Sequence, residues 1–389
     1  MTAQPSVRAD PAAARLQRIE SIQWLRGVAA MLVVCNHAGL LALKYLGVPD
    51  DPLHLFQWNL AQAGAFGVDI FFVISGFVMA MSARRFEGGL GAAQFIAQRY
   101  NRIAPLFYLL SAVLLAEILR AHVPFTSREV VNTLTFIPWL DGREYHWPIH
   151  FLGWTLAFEF VFYGIVATMI WSGRSRQVFL LATILIVFAL AGAVVDAPWM
   201  PLRMLTSPLM VEFAFGVLTY HAWLAGWFDR PALRWNVLLL AAIAFLVWPI
   251  IGRLPIIHSL VTDQFDYVGA ARRLLWWGVP ALAIVCWTLT LSTGADRWPR
   301  RIARAIGDAT YSIYLTHLFV VRIVEEAIQR FDTPVVLAAG SVLVISPIVG
   351  LISYRLLEQP LVRIGQGWVT RMTARLGRDC PTATGTRGA

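Results

Sequence analysis

The chain is poor in charge. Only 14% of its 389 residues are Asp, Glu, Lys or Arg, while 58% are hydrophobic. A soluble protein of this length needs far more polar surface. Lysine is nearly missing: Lys44 stands alone among 32 basic residues, the rest being arginine. The three cysteines, Cys35, Cys286 and Cys380, offer neither a disulfide framework nor a metal-ligand spacing, so no metal is expected. The first twenty residues lack the apolar stretch of a cleaved leader, so the first hydrophobic segment is expected to stay as an anchor. There is no internal repeat and no second, soluble domain to house chemistry. The net charge of +9 is spread over short loops rather than gathered into a soluble basic patch, which argues against nucleic acid as a partner.

What is present is a series of apolar stretches long enough to cross a bilayer. Ten are read, at about 24–44, 66–83, 103–121, 149–171, 178–196, 204–224, 235–252, 273–292, 305–328 and 334–357. With the N-terminus placed in the cytoplasm, most basic residues fall into inner loops, as the positive-inside rule requires. The expectation is an all-α, polytopic membrane protein with about ten transmembrane helices, embedded in lipid, and both termini cytoplasmic. The polar tails at each end are expected to be poorly ordered. Oligomeric state is not written in the sequence.

Ionisable residues inside such spans are costly and mark sites. Arg26 and His37 are eleven positions apart in the first span, about three helical turns, so they share a face roughly 16 Å apart along the axis. A cation near the entry and an imidazole deep inside suit an anionic substrate at one end and proton chemistry at the other. Asp69 is read as shallow on the outer side of the second span. Glu159, Glu212 and His317 are read near the level of His37, so that four spans bring ionisable groups to one depth. Each carboxylate can equally well neutralise a neighbouring cation, and for Glu212 that structural role is favoured. For His317, flanked by Tyr311, Tyr314 and Thr316, a packing or hydrogen-bonding role is favoured.

A basic loop follows the second span. Arg84 and Arg85 close it, and Arg99 and Arg102 open the third on one helical face. Such a pair can grip phosphate with forked hydrogen bonds, although an ordinary positive-inside loop has the same composition. Trp139, Trp147, Trp154, Trp276 and Trp277 lie near span ends, where tryptophans anchor helices at the headgroups. The outer segment from His122 to Pro148, with Trp139, His146 and Trp147, is a candidate platform for a sugar.

These motifs, in this order, resemble those of the membrane acyltransferase-3 family. The resemblance rests on Arg26-x10-His37, on Gly67-Val-Asp69-Ile-Phe71-Phe72-Val-Ile-Ser75-Gly76-Phe77, and on Arg99-x-x-Arg102-Ile-x-Pro105. Trp154-Thr155-Leu156-x-x-Glu159-x-x-Phe162-Tyr163 follows. The last signatures are Gly307-Asp308-x-Thr310-Tyr311-Ser312-Ile-Tyr314-Leu-x-His317 and Glu358-x-Pro360. It implies one domain over residues 21–362, with a polar tail at 1–20 and a basic tail at 363–389. It also implies an O-acyltransferase of the bacterial inner membrane, moving an acyl group, most often acetyl, from acyl-CoA to a hydroxyl of a surface or exported polysaccharide. Acyl-CoA is a cytoplasmic polyanion, which Arg26, Arg85, Arg99 and Arg102 would bind. His37 is the expected base or nucleophile, with Glu159 or Asp69 orienting its ring. Ser75, Trp154, Tyr163 and Tyr314 are candidates for contacting the substrate or the oxyanion, as is the backbone around Gly76. The alternative is a proton-coupled transporter of a small solute, which would also carry intramembrane carboxylates and histidines.

Overall fold

The computed structural model describes residues 11–46, 52–138, 144–229, 233–251, 256–291 and 298–379. The described chain is helical. It runs α1 (Pro11–Leu46), α2 (Pro52–Ala63), α3 (Gly67–Ala83), α4 (Gly88–Arg120), α5 (Ser127–Thr135), α6 (Gly153–Trp171), α7 (Val178–Ala191), α8 (Met200–Leu205) and α9 (Met210–Leu224). It continues with α10 (Leu233–Ile251), α11 (Ile256–Thr262), α12 (Tyr267–Arg273), α13 (Val279–Thr288), α14 (Trp298–Asp308), α15 (Thr310–Phe331), α16 (Val335–Ser353) and α17 (Gln359–Asp379). Among the described residues eight helical segments are long and apolar enough to cross a membrane. The chain is thus an all-α, polytopic membrane protein.

Two of the ten expected spans take a different form. The stretch at 178–196 is apolar but helical only over the 14 residues of α7. The stretch at 305–328 divides into α14 and α15, and the last turns of α15 carry Arg322, Glu325, Glu326 and Arg330. The second span is longer than read. A 3₁₀ turn at Gly64–Phe66 joins α2 to α3, and the combined segment Phe56–Ala83 has 28 residues. Asp69 therefore stands near its middle, not at its outer edge. Helix also enters both expected tails, from Pro11 in α1 and to Asp379 in α17.

Close helix crossings set the core. α3 and α9 meet backbone to backbone at Gly76 and Gly216. A methyl on Gly76 would sit 2.0 Å from the Phe213 carbonyl oxygen, and one on Gly216 1.9 Å from that of Val73. Only residues without a side chain allow this approach, which is the bland reading of Gly76. Phe72, Phe162 and Phe213 fill the space around the crossing, with Phe72 stacked on Phe213 at 4.7 Å between ring centroids. Two helices contain a wide π turn. Leu274–Gly278 lies between α12 and α13, and Tyr354–Glu358 between α16 and α17. Such turns are uncommon and cluster at functional positions. Here each adjoins a buried charged residue, Arg273 and Glu358.

Candidate active site

Histidine 37 faces another histidine. On α1 its Nδ1 lies 3.0 Å from the Val33 carbonyl oxygen, one turn back, and 3.2 Å from Nε2 of His317 on α15. His317 in turn places its own Nδ1 3.2 Å from the Ile313 carbonyl oxygen. A carbonyl only accepts, so His317 Nδ1 carries the proton and its Nε2 is an acceptor. The same logic puts the proton of His37 on Nδ1, shared between Val33 and His317. His37 Nε2 is left with its lone pair. His317 is fully buried and His37 half-buried. The ring of Phe151, just before α6, stands edge-on to His37 with centroids 6.1 Å apart.

A cavity of about 120 Å³ opens from the other end of the bundle. Arg26, Arg99 and Arg102 line one part of it, Glu159, Tyr163 and Ser75 another, and Tyr314 and Phe71 close it. Tyr314 also lies against the histidine pair, its ring 6.2 Å from that of His317. Its hydroxyl is 2.9 Å from Thr155 Oγ1 and 3.4 Å from the Leu152 carbonyl oxygen. Tyr163 donates to Glu159 at 2.9 Å. Among the described residues none of the three arginines forms an ion pair. Arg26 donates to Gln23 at 3.3 Å and Arg99 to Ser82 at 2.9 Å, and the buried Nε of Arg99 has no partner. Three guanidinium groups face one space with Glu159 as the carboxylate lining it, an excess of positive charge that suits an anion. Arg85 is exposed and does not line the cavity.

Asp69 is committed elsewhere. Arg273 grips it through two parallel bonds, Nε to Oδ1 at 2.9 Å and Nη2 to Oδ2 at 2.8 Å. Arg273 also donates to the carbonyls of Leu260 and Ala65, and its guanidinium lies over the rings of Trp277 and Trp154. Both charges are fully buried. Glu212 is buried beside them, packed against Gly278, with neither carboxylate oxygen hydrogen-bonded.

The expected convergence on one level therefore resolves into separate clusters. His37 meets His317. Asp69 and Glu212 gather around Arg273, and Glu159 faces the arginines. Neither Asp69 nor Glu159 is hydrogen-bonded to His37 among the described residues, and the ring is oriented by His317 instead. The physical reason is vertical. Gly64 packs against Asn36 and Gly67 against the Ala29 carbonyl, so Asp69 sits below the level of His37. Trp154 is enclosed by Phe72, Phe158, Phe265 and Arg273 and does not reach the cavity. Arg273 was not anticipated; its only sequence signal is a charged residue opening an apolar run. Glu358 is buried and accepts from Ser312 at 2.6 Å, which fastens α15 to the wide turn after α16. Trp139 and Cys380 fall outside the described residues. Among the described residues no group of three or more His, Cys, Asp or Glu side chains is arranged to hold a metal.

The acyltransferase domain model of the acyltransferase-3 family matches residues 19–355. The chain is 30% identical to the exopolysaccharide production protein ExoZ of Rhizobium meliloti over 318 residues, covering 80% of this chain and 93% of that protein. It is 22% identical to the acyltransferase MdmB of Streptomyces mycarofaciens, covering 79% of this chain and 80% of that one. It is 24% identical to the putative peptidoglycan O-acetyltransferase YrhL of Bacillus subtilis, covering 83% of this chain and 54% of the longer relative. No solved structure matches the chain. With the motifs, the bundle and the match over most of its length, the chain belongs to the acyltransferase-3 family of membrane acyltransferases.

Proposed function

We propose that this acyltransferase moves an acetyl group from acetyl-CoA, bound from the cytoplasmic side of the inner membrane, to a hydroxyl of an exported polysaccharide. The reading is carried by one observation: a cavity lined by three arginines at one end of the bundle is closed by Tyr314, and the Tyr314 ring lies 6.2 Å from that of His317, the partner of His37. The exposed Arg102 stands at the mouth. Arg26, Arg99 and Arg102 hold the phosphates of the donor, and its thin acyl-thioester arm passes inward toward Tyr314. Arg85 does not line the cavity.

His37 Nε2 then takes the proton of the acceptor hydroxyl as its oxygen attacks the thioester carbonyl carbon. The new C–O bond forms and the C–S bond breaks. The coenzyme thiolate leaves, and the proton on His37 passes to it. While His37 is cationic, its Nδ1–H is held by the Val33 carbonyl and by His317 Nε2. The Tyr314 hydroxyl, which lines the cavity, would donate to the oxyanion. Glu159, bonded by Tyr163, balances the arginine charge along the path. The family does not favour the transporter alternative.

The test uses purified protein in nanodiscs with radiolabelled acetyl-CoA and a de-acetylated exopolysaccharide fraction. Label transferred to the polysaccharide by wild type and lost in His37→Ala is the expected result. A folded wild type that neither binds nor consumes acetyl-CoA overturns the donor.

A further inference from the structure

His150 is a buried histidine near the pair, and it has no part in the chemistry described above. It stands just before α6 and is fully buried, with the rings of Phe107 and Phe319 5.7 and 6.1 Å from its own. Its Nε2 lies 3.1 Å from the Leu315 carbonyl oxygen, early in α15. A carbonyl only accepts, so Nε2 carries the proton and Nδ1 is bare. That Nδ1 is buried and has no hydrogen-bond partner among the described residues. A buried nitrogen left without a partner costs stability. An apolar side chain would fill the space between two phenylalanines without that cost, so the distinctive contribution of this imidazole is its one bond to Leu315.

The place of the bond gives it a use. Leu315 follows Tyr314 and precedes His317 by two residues, and His150 precedes Phe151, whose ring stands edge-on to His37. Hydrogen bonds join this stretch of α15 to the start of α6. His150 donates to the Leu315 carbonyl, and the Tyr314 hydroxyl meets the Leu152 carbonyl at 3.4 Å and Thr155 Oγ1 at 2.9 Å. The backbone that carries His150 is itself held. The Gly153 amide donates to the His150 carbonyl at 2.8 Å, and Gly153 packs so closely on α4 that a methyl there would come within 2.7 Å of the Phe107 ring.

The histidine pair needs such an external reference. The contact of His317 with the Ile313 carbonyl lies within α15, and that of His37 with the Val33 carbonyl lies within α1. Neither contact senses where one helix sits relative to the other, yet the 3.2 Å between the two rings depends on it. We infer that His150 is a positioning residue for the pair: its bond to Leu315 sets where α15 sits against the start of α6, and so keeps His317 Nε2 within reach of His37 Nδ1. This role presupposes the acyltransferase reading, in which His37 is the base, and adds to it a residue that touches neither substrate nor reacting atoms.

The test compares His150→Leu, which fills the space and loses the donor, with His150→Gln, whose amide nitrogen reaches the place of Nε2. Both are measured in nanodiscs for kcat, for the KM of acetyl-CoA and by nitrogen NMR of isotope-labelled histidine rings, with His37→Ala and His317→Ala to assign the two ring signals. In His150→Leu kcat is expected to fall about tenfold, within the roughly 100-fold that a misplacement of about 1 Å can cost. The KM of acetyl-CoA should stay unchanged, because His150 does not line the arginine cavity. The ring signals of His37 and His317 should move, and the glutamine variant should restore both them and kcat. Should the leucine variant not fold, His150→Asn, whose amide nitrogen reaches only the place of Nδ1, takes its part. Unmoved ring signals, or a glutamine variant no better than the leucine one, make His150 a packing residue and overturn the role. A folded wild type that neither binds nor consumes acetyl-CoA removes the donor assignment instead, and the ring signals then decide the role of His150 by themselves.

Discussion

His317 Nε2 points at His37 Nδ1 from 3.2 Å, and each histidine is anchored by the carbonyl one turn behind it. The pair spans two helices 280 residues apart in sequence. An imidazole thus occupies the place that a carboxylate fills behind the histidine of a hydrolase triad. A neutral partner fixes the tautomer of His37 while stabilising its cation less than a carboxylate would.

His317 is expected to act through His37. His317→Ala should lower kcat about 100-fold with KM for both substrates unchanged, at the lower end of what general-base catalysis contributes. His317→Gln, whose side-chain oxygen can accept from His37 Nδ1–H, should recover part of the loss. The pH profile of kcat should shift in both variants. Equal activity of the alanine and glutamine variants, with an unmoved profile, would show that His317 only fills space.

The arginines should read out as donor affinity. Arg99→Gln and Arg102→Gln are each expected to raise the KM for acetyl-CoA about tenfold, the loss of one charge-assisted contact, and to leave the acceptor KM alone. The wild-type KM should rise with salt, and Arg102→Gln, at the exposed position, should weaken that salt dependence more than Arg99→Gln. Arg85→Gln, outside the cavity, should match wild type in a steady-state assay.

Asp69 should behave as a structural residue. Asp69→Asn or Arg273→Met leaves a buried charge alone, which costs about 3–5 kcal/mol. The expected phenotype is a lower thermal midpoint in detergent and poor yield. A folded, fully stable and inactive Asp69→Asn would instead assign it to the chemistry.

The crossing at Gly76 tolerates no side chain. Gly76→Ala must displace the Phe213 backbone or separate α3 from α9, and overpacking of this kind costs about 1–3 kcal/mol. Thermal unfolding should show that loss, and Gly164→Ala, where a methyl meets nothing within 4 Å, serves as the neutral control.

The sequence carried much of this architecture. Hydrophobic runs mark the spans because burial in lipid demands them, and Arg26 with His37 was legible because eleven residues on one helix fix a distance. What was hidden depends on pairs of helices. Asp69 and Arg273 are 204 residues apart, and no spacing rule within one helix brings them together. The depth of Asp69 was misjudged because α2, with Asn59 and Gln62 buried in it, is too polar to announce itself as the upper half of a span. Depth was also misjudged for Glu159: Phe151 is the residue that reaches His37, and Glu159, eight residues further along, lies at the level of Arg26 instead.

The wide turn after Arg273 has a consequence for how the chain tolerates insertion and deletion. A π turn holds one residue more than an α turn, so the segments on either side of it are out of angular phase by roughly 100°. Removing one residue from Leu274–Gly278 would repair the helix locally and yet swing Arg273 away from Asp69, or else swing the face of α13 away from α9 and α3. The irregularity works as a spacer washer: a slightly worse helix lets two neighbours be met at once. Single-residue deletions here should therefore harm the protein more than substitutions at the same positions.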